Sequence, residues 1–145
     1  MAPNTILLNV RNRHEKDYPL QSASTPILPG MLCQLNADRK AIPHSTAAGA
    51  AKPFFVAVEM PIRSGSDIDT LYDVAGEVVP LHAALSGDLL YMLLEAGANI
   101  AKGDNLESSG NGHLQPATSG AIVRATESVN NNSGYDGVRI RVEVL

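Results

Sequence analysis

The chain has 145 residues, a formal net charge of -4 and 18% charged residues, which is typical of one soluble domain of ordinary size. Hydrophobic residues make up 44%, but tryptophan is absent, and 12 glycines and 9 prolines interrupt the apolar runs. This composition favours many short strands and turns over long helices. The acidic balance argues against a uniformly basic surface for nucleic acid.

The apolar runs and the cysteine content bear on the compartment of the chain. No apolar run approaches the roughly 20 residues that a membrane-spanning helix needs, and the first residues lack the basic and apolar regions of a secretory signal. The single cysteine, Cys33, allows neither an internal disulfide nor a thiolate zinc cluster. We therefore expect no membrane association, and synthesis in a reducing cytoplasm.

The charge is unevenly distributed along the chain. Residues 1–16 carry three basic side chains and one acidic side chain, whereas residues 59–107 carry nine acidic and two basic ones. The amino-terminal segment is therefore locally basic and the body is acidic.

The amino-terminal quarter of the chain is predicted to be extended. Thr5–Val10 is a short apolar run with the character of an edge strand, and a polar stretch follows it. Three prolines between residues 19 and 29 exclude a helix or a central strand there. We interpret residues 1–25 as an extended arm and linker, and residues 26–145 as a β-barrel body.

Several strands are predicted in the first half of the body, with turn residues between them. Loops are predicted at Ser45–Lys52, where one helical turn is an alternative, and at Arg63–Asp69. The run after Gly87 contains good helix formers, but its length between two glycines favours a strand. The predicted strands are Met31–Leu35, Ala41–Pro43, Phe54–Met60, Glu77–Leu85 and Leu89–Leu94.

The last third of the sequence has the clearest turn signals. Gly97 and Gly103 flank Ile100 at a spacing that fits a tight corner in a small barrel, and Ser108–His113 has the composition of a hairpin tip. The segment Val138–Leu145 alternates apolar and charged residues, as expected of a strand with one buried face. The sequence therefore predicts an all-β fold, either a small β-barrel or a β-sandwich.

Catalytic and cofactor chemistry have little support in the residue pattern. The four histidines stand in separate contexts without a metal-ligand spacing, and no Gly-x-Ser-x-Gly elbow is present. Cys33 is interpreted as a small core residue. Because the tip at Asn111-Gly112 has no lysine, a biotin or lipoate carrier is disfavoured. We expect no metal, no cofactor and no enzymatic activity.

The amino-terminal arm is the candidate binding element. Either it folds back onto its own barrel, or it adds a strand to the sheet edge of a partner. The second alternative predicts a protein that functions by attachment. The candidate residues of the arm are Thr5, Ile6, Leu7, Leu8, Asn9, Val10, Arg11 and Arg13.

The segment from Leu89 to the end resembles the small head decoration (cement) proteins of tailed bacteriophages. Five features carry the resemblance: the Ala-Gly that ends a strand, the Gly-x-x-Ile-x-x-Gly-Asp-x-Leu corner, the Ser-Gly-Asn-Gly hairpin, the Ala-Ile-Val-Arg-Ala strand and the final Val-Arg-Ile-Arg-Val strand. The proline-glycine entry at Ile27–Gly30 and the arm match more loosely. The stretch Ser45–Asp73 is longer than in that family.

The resemblance implies a β-tulip-like body and a non-enzymatic homotrimer on the outer surface of the virion. Such a protein binds the major capsid protein and braces the capsid against genome pressure. The resemblance places the arm at the contact with the capsid, and neither nucleic acid nor membrane is an expected partner. The alternative from another class is a small β-barrel carbohydrate-binding module or enzyme domain.

Overall fold

A computed structural model describes residues 2–48, 54–60, 67–132, 134, 135 and 137–145. These residues form thirteen strands and no helix, and every sheet pairing is antiparallel. The all-β prediction is confirmed. The strands are β1 (Leu7–Asn9), β2 (Glu15–Pro19), β3 (Leu32–Leu35), β4 (Ala41–Pro43), β5 (Phe55–Ala57), β6 (Val78–Ala83), β7 (Leu89–Leu93), β8 (Asn99–Ile100), β9 (Asn105–Ser108), β10 (Leu114–Pro116), β11 (Val123–Ala125), β12 (Val129–Asn130) and β13 (Arg139–Val144).

The larger sheet has six strands in the order β1-β7-β13-β11-β9-β10. Its centre is the long pairing of β13 with β7, in which Ile140 lies opposite Met92 and Val142 opposite Leu90. All four of these side chains are fully buried. The predicted alternation of β13 is confirmed on its apolar face, which forms the centre of the main core.

The second sheet has five strands in the order β2-β6-β5-β3-β4, and a two-stranded sheet pairs β12 with β8. In β5, Val56 belongs to the main core and Ala57 to a second core on the other face of the strand. Both residues are fully buried, as the aromatic and β-branched composition of this segment predicts. The strand β5 is therefore buried on both faces.

The architecture is sandwich-like, and neither large sheet closes into a barrel in the described residues. Each of the two large sheets is so strongly curved that one isolated parallel bridge joins strands from opposite halves of the sheet. Leu94, after β7, bridges to Leu114 on β10, and Leu20, after β2, bridges to Ala41 on β4. Such curling lets a 145-residue chain enclose two cores with short strands.

The predicted corner and strands of the last third are present. Gly97 and Gly103 have φ values of 85° and 96°, in the region that favours glycine, and Ile100 is 2% exposed. The run after Gly87 forms strand β7 rather than a helix. The hairpin β9–β10 pairs Leu114 with Ser108.

Residues 1–25, predicted to form an extended arm and linker, contain two extended strands that belong to the sheets of the body, so of the two alternatives the arm that folds back onto its own chain is the one observed. Strand β1 pairs with β7 of the same chain, and strand β2 pairs with β6 over five residues. Ile6 and Leu20 are fully buried. The physical reason is that the edges of β6 and β7 need backbone partners, and the apolar residues near the amino terminus supply them while filling the two cores.

Two predicted loops fall partly on residues that the structure does not describe. In the predicted loop Ser45–Lys52, residues 49–52 lie outside the described part of the chain, and so do residues 63–66 of the loop Arg63–Asp69. The described residues 67–70 form a turn in which Thr70 N–H donates to the Asp67 carbonyl at 3.2 Å.

Candidate functional site

The predicted binding residues Thr5–Val10 lie at the outer edge of the six-stranded sheet. Leu7 lies opposite Leu90 and Asn9 opposite Leu89, with an irregularity between the two pairs. Tyr91 N–H also donates to the Ile6 carbonyl at 2.8 Å. Among the described residues, strand β1 is paired with β7 alone, so no described strand occupies its other edge, which is open for a further strand.

A carboxylate from the second half of the sandwich holds the start of this strand. Thr5 Oγ1 donates a hydrogen bond to Glu59 Oε1, and Ile6 N–H donates to Glu59 Oε2 at 3.1 Å. Glu59 follows strand β5 closely in the sequence. The carboxylate therefore connects the amino-terminal segment to the other sheet and satisfies a backbone donor at its entry.

The two arginines of the predicted site are exposed and lie in different clefts. Arg11 and Asn9 line a cleft of about 510 Å³ together with the turn before β7 and Glu143. Arg13 lines a second cleft of about 580 Å³ with Lys16 and Tyr18. Arg13 Nε also donates to Glu15 Oε1 at 2.7 Å. The structure thus keeps both guanidinium groups on the surface next to the open edge strand.

A buried histidine–aspartate pair, whose aspartate lines the first of these clefts, could not be identified in the sequence. His82 Nε2 is 2.9 Å from Asp88 Oδ2, and the two residues are 0% and 3% exposed. The polar position of His82 within an otherwise apolar strand was the available signal. The two are six positions apart in sequence, and the turn between β6 and β7 brings them together.

Glu107 is a second buried carboxylate that the sequence did not single out. Its Oε2 accepts N–H groups of Gly120 at 2.8 Å and Ser119 at 3.2 Å, and its Oε1 accepts Thr118 Oγ1 at 3.0 Å and Gln115 Nε2 at 3.2 Å. The Gly120 N–H contributes most to lowering the pKa of Glu107 to about 2, against the opposing effect of burial. This network fastens the loop after β10 and is saturated by donors of the chain itself.

His44 and Ser108 lie together but do not form an activated nucleophile. Ser108 Oγ donates to the Thr46 carbonyl at 2.7 Å and lies 3.3 Å from His44 Nδ1. Ser108 is fully buried. Burial lowers the pKa of His44. Because the serine proton is directed at a carbonyl and the hydroxyl has no access to a substrate, the pair is structural.

Cys33 is buried, as predicted, and its Sγ–H faces the Met31 carbonyl at 3.4 Å. Burial raises the pKa of the Cys33 thiol far above its ordinary value. A protonated, inaccessible thiol is a packing element rather than a nucleophile.

Arg139 departs from the predicted alternation of β13, in which only the apolar face is buried. It is 7% exposed. Its Nε and Nη2 donate to the Pro29 carbonyl at 3.1 and 3.0 Å, Nη1 donates to Asp69 Oδ1 at 2.9 Å, and Nη2 also donates to the Ile68 carbonyl. The guanidinium fastens two loops to the end of the central strand.

The described residues contain no group of three or more His, Cys, Asp or Glu side chains placed to hold a metal ion. No helix among them is long and apolar enough to cross a membrane. Neither a protein-family model nor a curated protein matches the chain. The candidate site therefore depends on its geometry: an open edge strand, β1, followed by two exposed arginines.

Proposed function

We propose that this chain is a capsid decoration protein, which binds the outer surface of a tailed-bacteriophage head and stabilises contacts between major capsid subunits against genome pressure. The observation that carries the proposal is the open edge of β1, directly followed by the exposed Arg11 and Arg13. An extended capsid segment adding to this edge would gain backbone hydrogen bonds, and the two arginines would add charge contacts at its end.

This mode of attachment differs from a free arm that inserts into a partner's sheet. Because Ile6 is fully buried and Leu7 is 9% exposed, removing β1 from the body would uncover apolar surface. In the proposal the arm residues stay in place and the capsid protein supplies the added strand. Three copies around a threefold position of the capsid would repeat the contact, so that weak individual contacts sum to stable attachment.

The proposal is tested by mixing the chain with expanded capsid shells of the virus that encodes it, followed by co-sedimentation. The double variant Arg11→Glu/Arg13→Glu changes exposed side chains only and should weaken binding by tenfold or more while the melting temperature stays close to that of the wild type. Lys102→Glu, an exposed charge reversal at the glycine corner, is the matched control and should bind like the wild type.

Two results would reject the proposal. A wild-type chain that does not sediment with the shells has no decoration function, and a double variant that still saturates them does not use the proposed arginine contacts beside the β1 edge. Light scattering after size exclusion should give the mass of a trimer, and a monomer would contradict the threefold arrangement. A monomer that ignores capsids but melts at higher temperature with a sugar would favour the carbohydrate-binding alternative.

A further inference from the structure

The buried pair His82 and Asp88 also contacts the amino-terminal segment. His82 Nδ1 lies 3.3 Å from the backbone nitrogen of His14, which donates its N–H to the ring. On the other side of the ring, Nε2 is 2.9 Å from Asp88 Oδ2. The same Asp88 oxygen accepts the N–H of Leu85 at 3.0 Å. One imidazole thus connects the chain before β2 to the turn before β7.

These contacts determine the tautomer of His82. A backbone N–H can only donate, so Nδ1 must present its lone pair to His14. The ring proton is then on Nε2 and is donated to Asp88. In this neutral form, and in no other, each of the two ring nitrogens has a hydrogen-bond partner. The neutral Nε2–H tautomer is therefore the form that fits the folded site.

The pair lies where the two strands of the amino-terminal segment join. His14 stands between β1 and β2, and its carbonyl accepts the N–H of Ala83 at 3.1 Å. Asp88 immediately precedes β7, the strand that pairs with β1. The backbone of Asp88 is itself held, because its carbonyl accepts Val144 N–H at 2.9 Å. A change at His82 would act first on the segment around His14.

Few charged or titratable groups of the described residues lie near His82. Val56, opposite His82 on β5, is apolar, and Glu15 lies opposite it on β2. The ring of His14 has its centroid 6.4 Å from that of His82. Among the described residues, the titratable groups nearest to the pair are Glu15 and the His14 ring, with Arg11 and Glu143 in the cleft beside Asp88.

We propose that His82 and Asp88 form a proton-sensitive latch that holds residues 10–16 on the body at neutral pH and loosens them on acidification. When Nδ1 takes up a proton, the ring and the His14 N–H become two donors facing each other at 3.3 Å. The Asp88 carboxylate retains the imidazolium, because it supplies the opposite charge at 2.9 Å. The contact that breaks is therefore the one to His14.

The latch would regulate the binding site at β1, and this regulatory role rests on the proposed function. Arg11 and Arg13 lie on the segment that the latch would loosen, so capsid attachment would depend on pH. The loosening itself is a property of the isolated chain. Since one proton is taken up, the ratio of latched to loosened chains can change by up to about tenfold for each pH unit over which proton uptake accompanies the loosening.

The experiment is hydrogen–deuterium exchange of the isolated full chain between pH 7.5 and pH 5, with rates corrected for the intrinsic pH dependence of exchange. Protection of the amides of residues 14–16 should fall by about tenfold or more, while that of β13 stays constant. His82→Gln should remove this pH dependence. His14→Gln, which keeps the backbone donor and replaces an exposed ring, is the matched control and should retain it.

Two further measurements keep the test decisive if His82→Gln does not fold. Asp88→Asn removes the charge that retains the imidazolium and should move the transition to lower pH. Nitrogen NMR of the wild type at pH 7.5 should show the neutral Nε2–H tautomer. An Nδ1–H tautomer, or protection of residues 14–16 that does not change down to pH 5, would overturn the latch without bearing on capsid binding at neutral pH.

Discussion

The Glu59 carboxylate accepts the backbone N–H of Ile6 at 3.1 Å, across 53 positions of the sequence. This contact and the Thr5 hydroxyl on the same carboxylate draw the amino-terminal strand into the body. The segment with the most obvious binding character in the sequence is thus also part of the hydrophobic core.

Ile6→Ala is expected to destabilise the whole domain by about 2–4 kcal/mol, because Ile6 is fully buried in the main core and the truncation leaves a cavity. Chemical denaturation measures the effect. Leu85→Ala, at a side chain that is 40% exposed, is the control and should cost less than about 1 kcal/mol. Equal, small losses in both variants would show that the amino-terminal strand does not pack as described.

Deletion of residues 1–16 should impair folding, because it removes the buried Ile6 from the main core.

Arg139→Ala is expected to cost about 3–5 kcal/mol, because it leaves the buried carbonyls of Pro29 and Ile68 without their donor. Arg141→Ala on the same strand is the matched comparison. Arg141 is half-buried and lies 3.8 Å from Glu127 in an ion pair, so its loss should cost about 0–1 kcal/mol. Urea midpoints of the two variants give the comparison, and similar midpoints would refute the fastening role of Arg139.

Gly30→Ala should destabilise the fold by about 3 kcal/mol or more. Gly30 has a φ of 93°, and an added Cβ would lie 2.9 Å from the Tyr91 carbonyl oxygen and 3.2 Å from Arg139 Nε. Gly97→Ala separates the two causes, since Gly97 has a φ of 85° but nothing within 4 Å of the added atom. It should cost only about 1–2 kcal/mol for the backbone. The difference in melting temperature between the two variants measures the steric cost of the added Cβ at Gly30. Equal melting temperatures would exclude such a cost.

Glu107→Gln should remove part of the acid sensitivity of the fold. The pKa of Glu107 falls from 4.5 to about 2, chiefly through the Gly120 N–H. A carboxyl group with a depressed folded-state pKa stabilises the native state above pH 4.5, and this contribution is lost as the pH falls towards 2. The variant should be less stable at pH 7, with a smaller further loss between pH 4.5 and 2. Glu143→Gln, on the half-exposed side of β13, should keep the wild-type slope; an unchanged slope in Glu107→Gln would contradict the network.

The strands and turns of the last third could be predicted because their signals are local. Gly97 and Gly103 adopt backbone angles that other residues avoid, and the alternation from Val138 to Leu145 matches the two faces of one strand. The same holds for β7, where two glycines limit the run to a strand's length. These features depend on a few neighbouring residues, and the sequence contains all of them.

The candidate site was only partly predictable. The exposure of Arg11 and Arg13 follows from the polar stretch after the predicted edge strand, but the burial of Ile6 does not, because it requires the open edge of β7 and the Glu59 carboxylate. The pairing of His82 with Asp88 and with the His14 backbone likewise joins three separate segments. No short pattern encodes such contacts.

The sequence by itself thus determined the all-β class, the positions of most strands and the basic character of the amino-terminal segment, since propensity, alternation and charge belong to neighbouring residues. Tertiary structure alone decided that this segment completes a sheet, that Arg139 and Glu107 are buried, and that the His82 ring connects the chain before β2 to the turn before β7. The physical reason is desolvation: a polar group can leave water only where distant parts of the chain supply its hydrogen-bond partners.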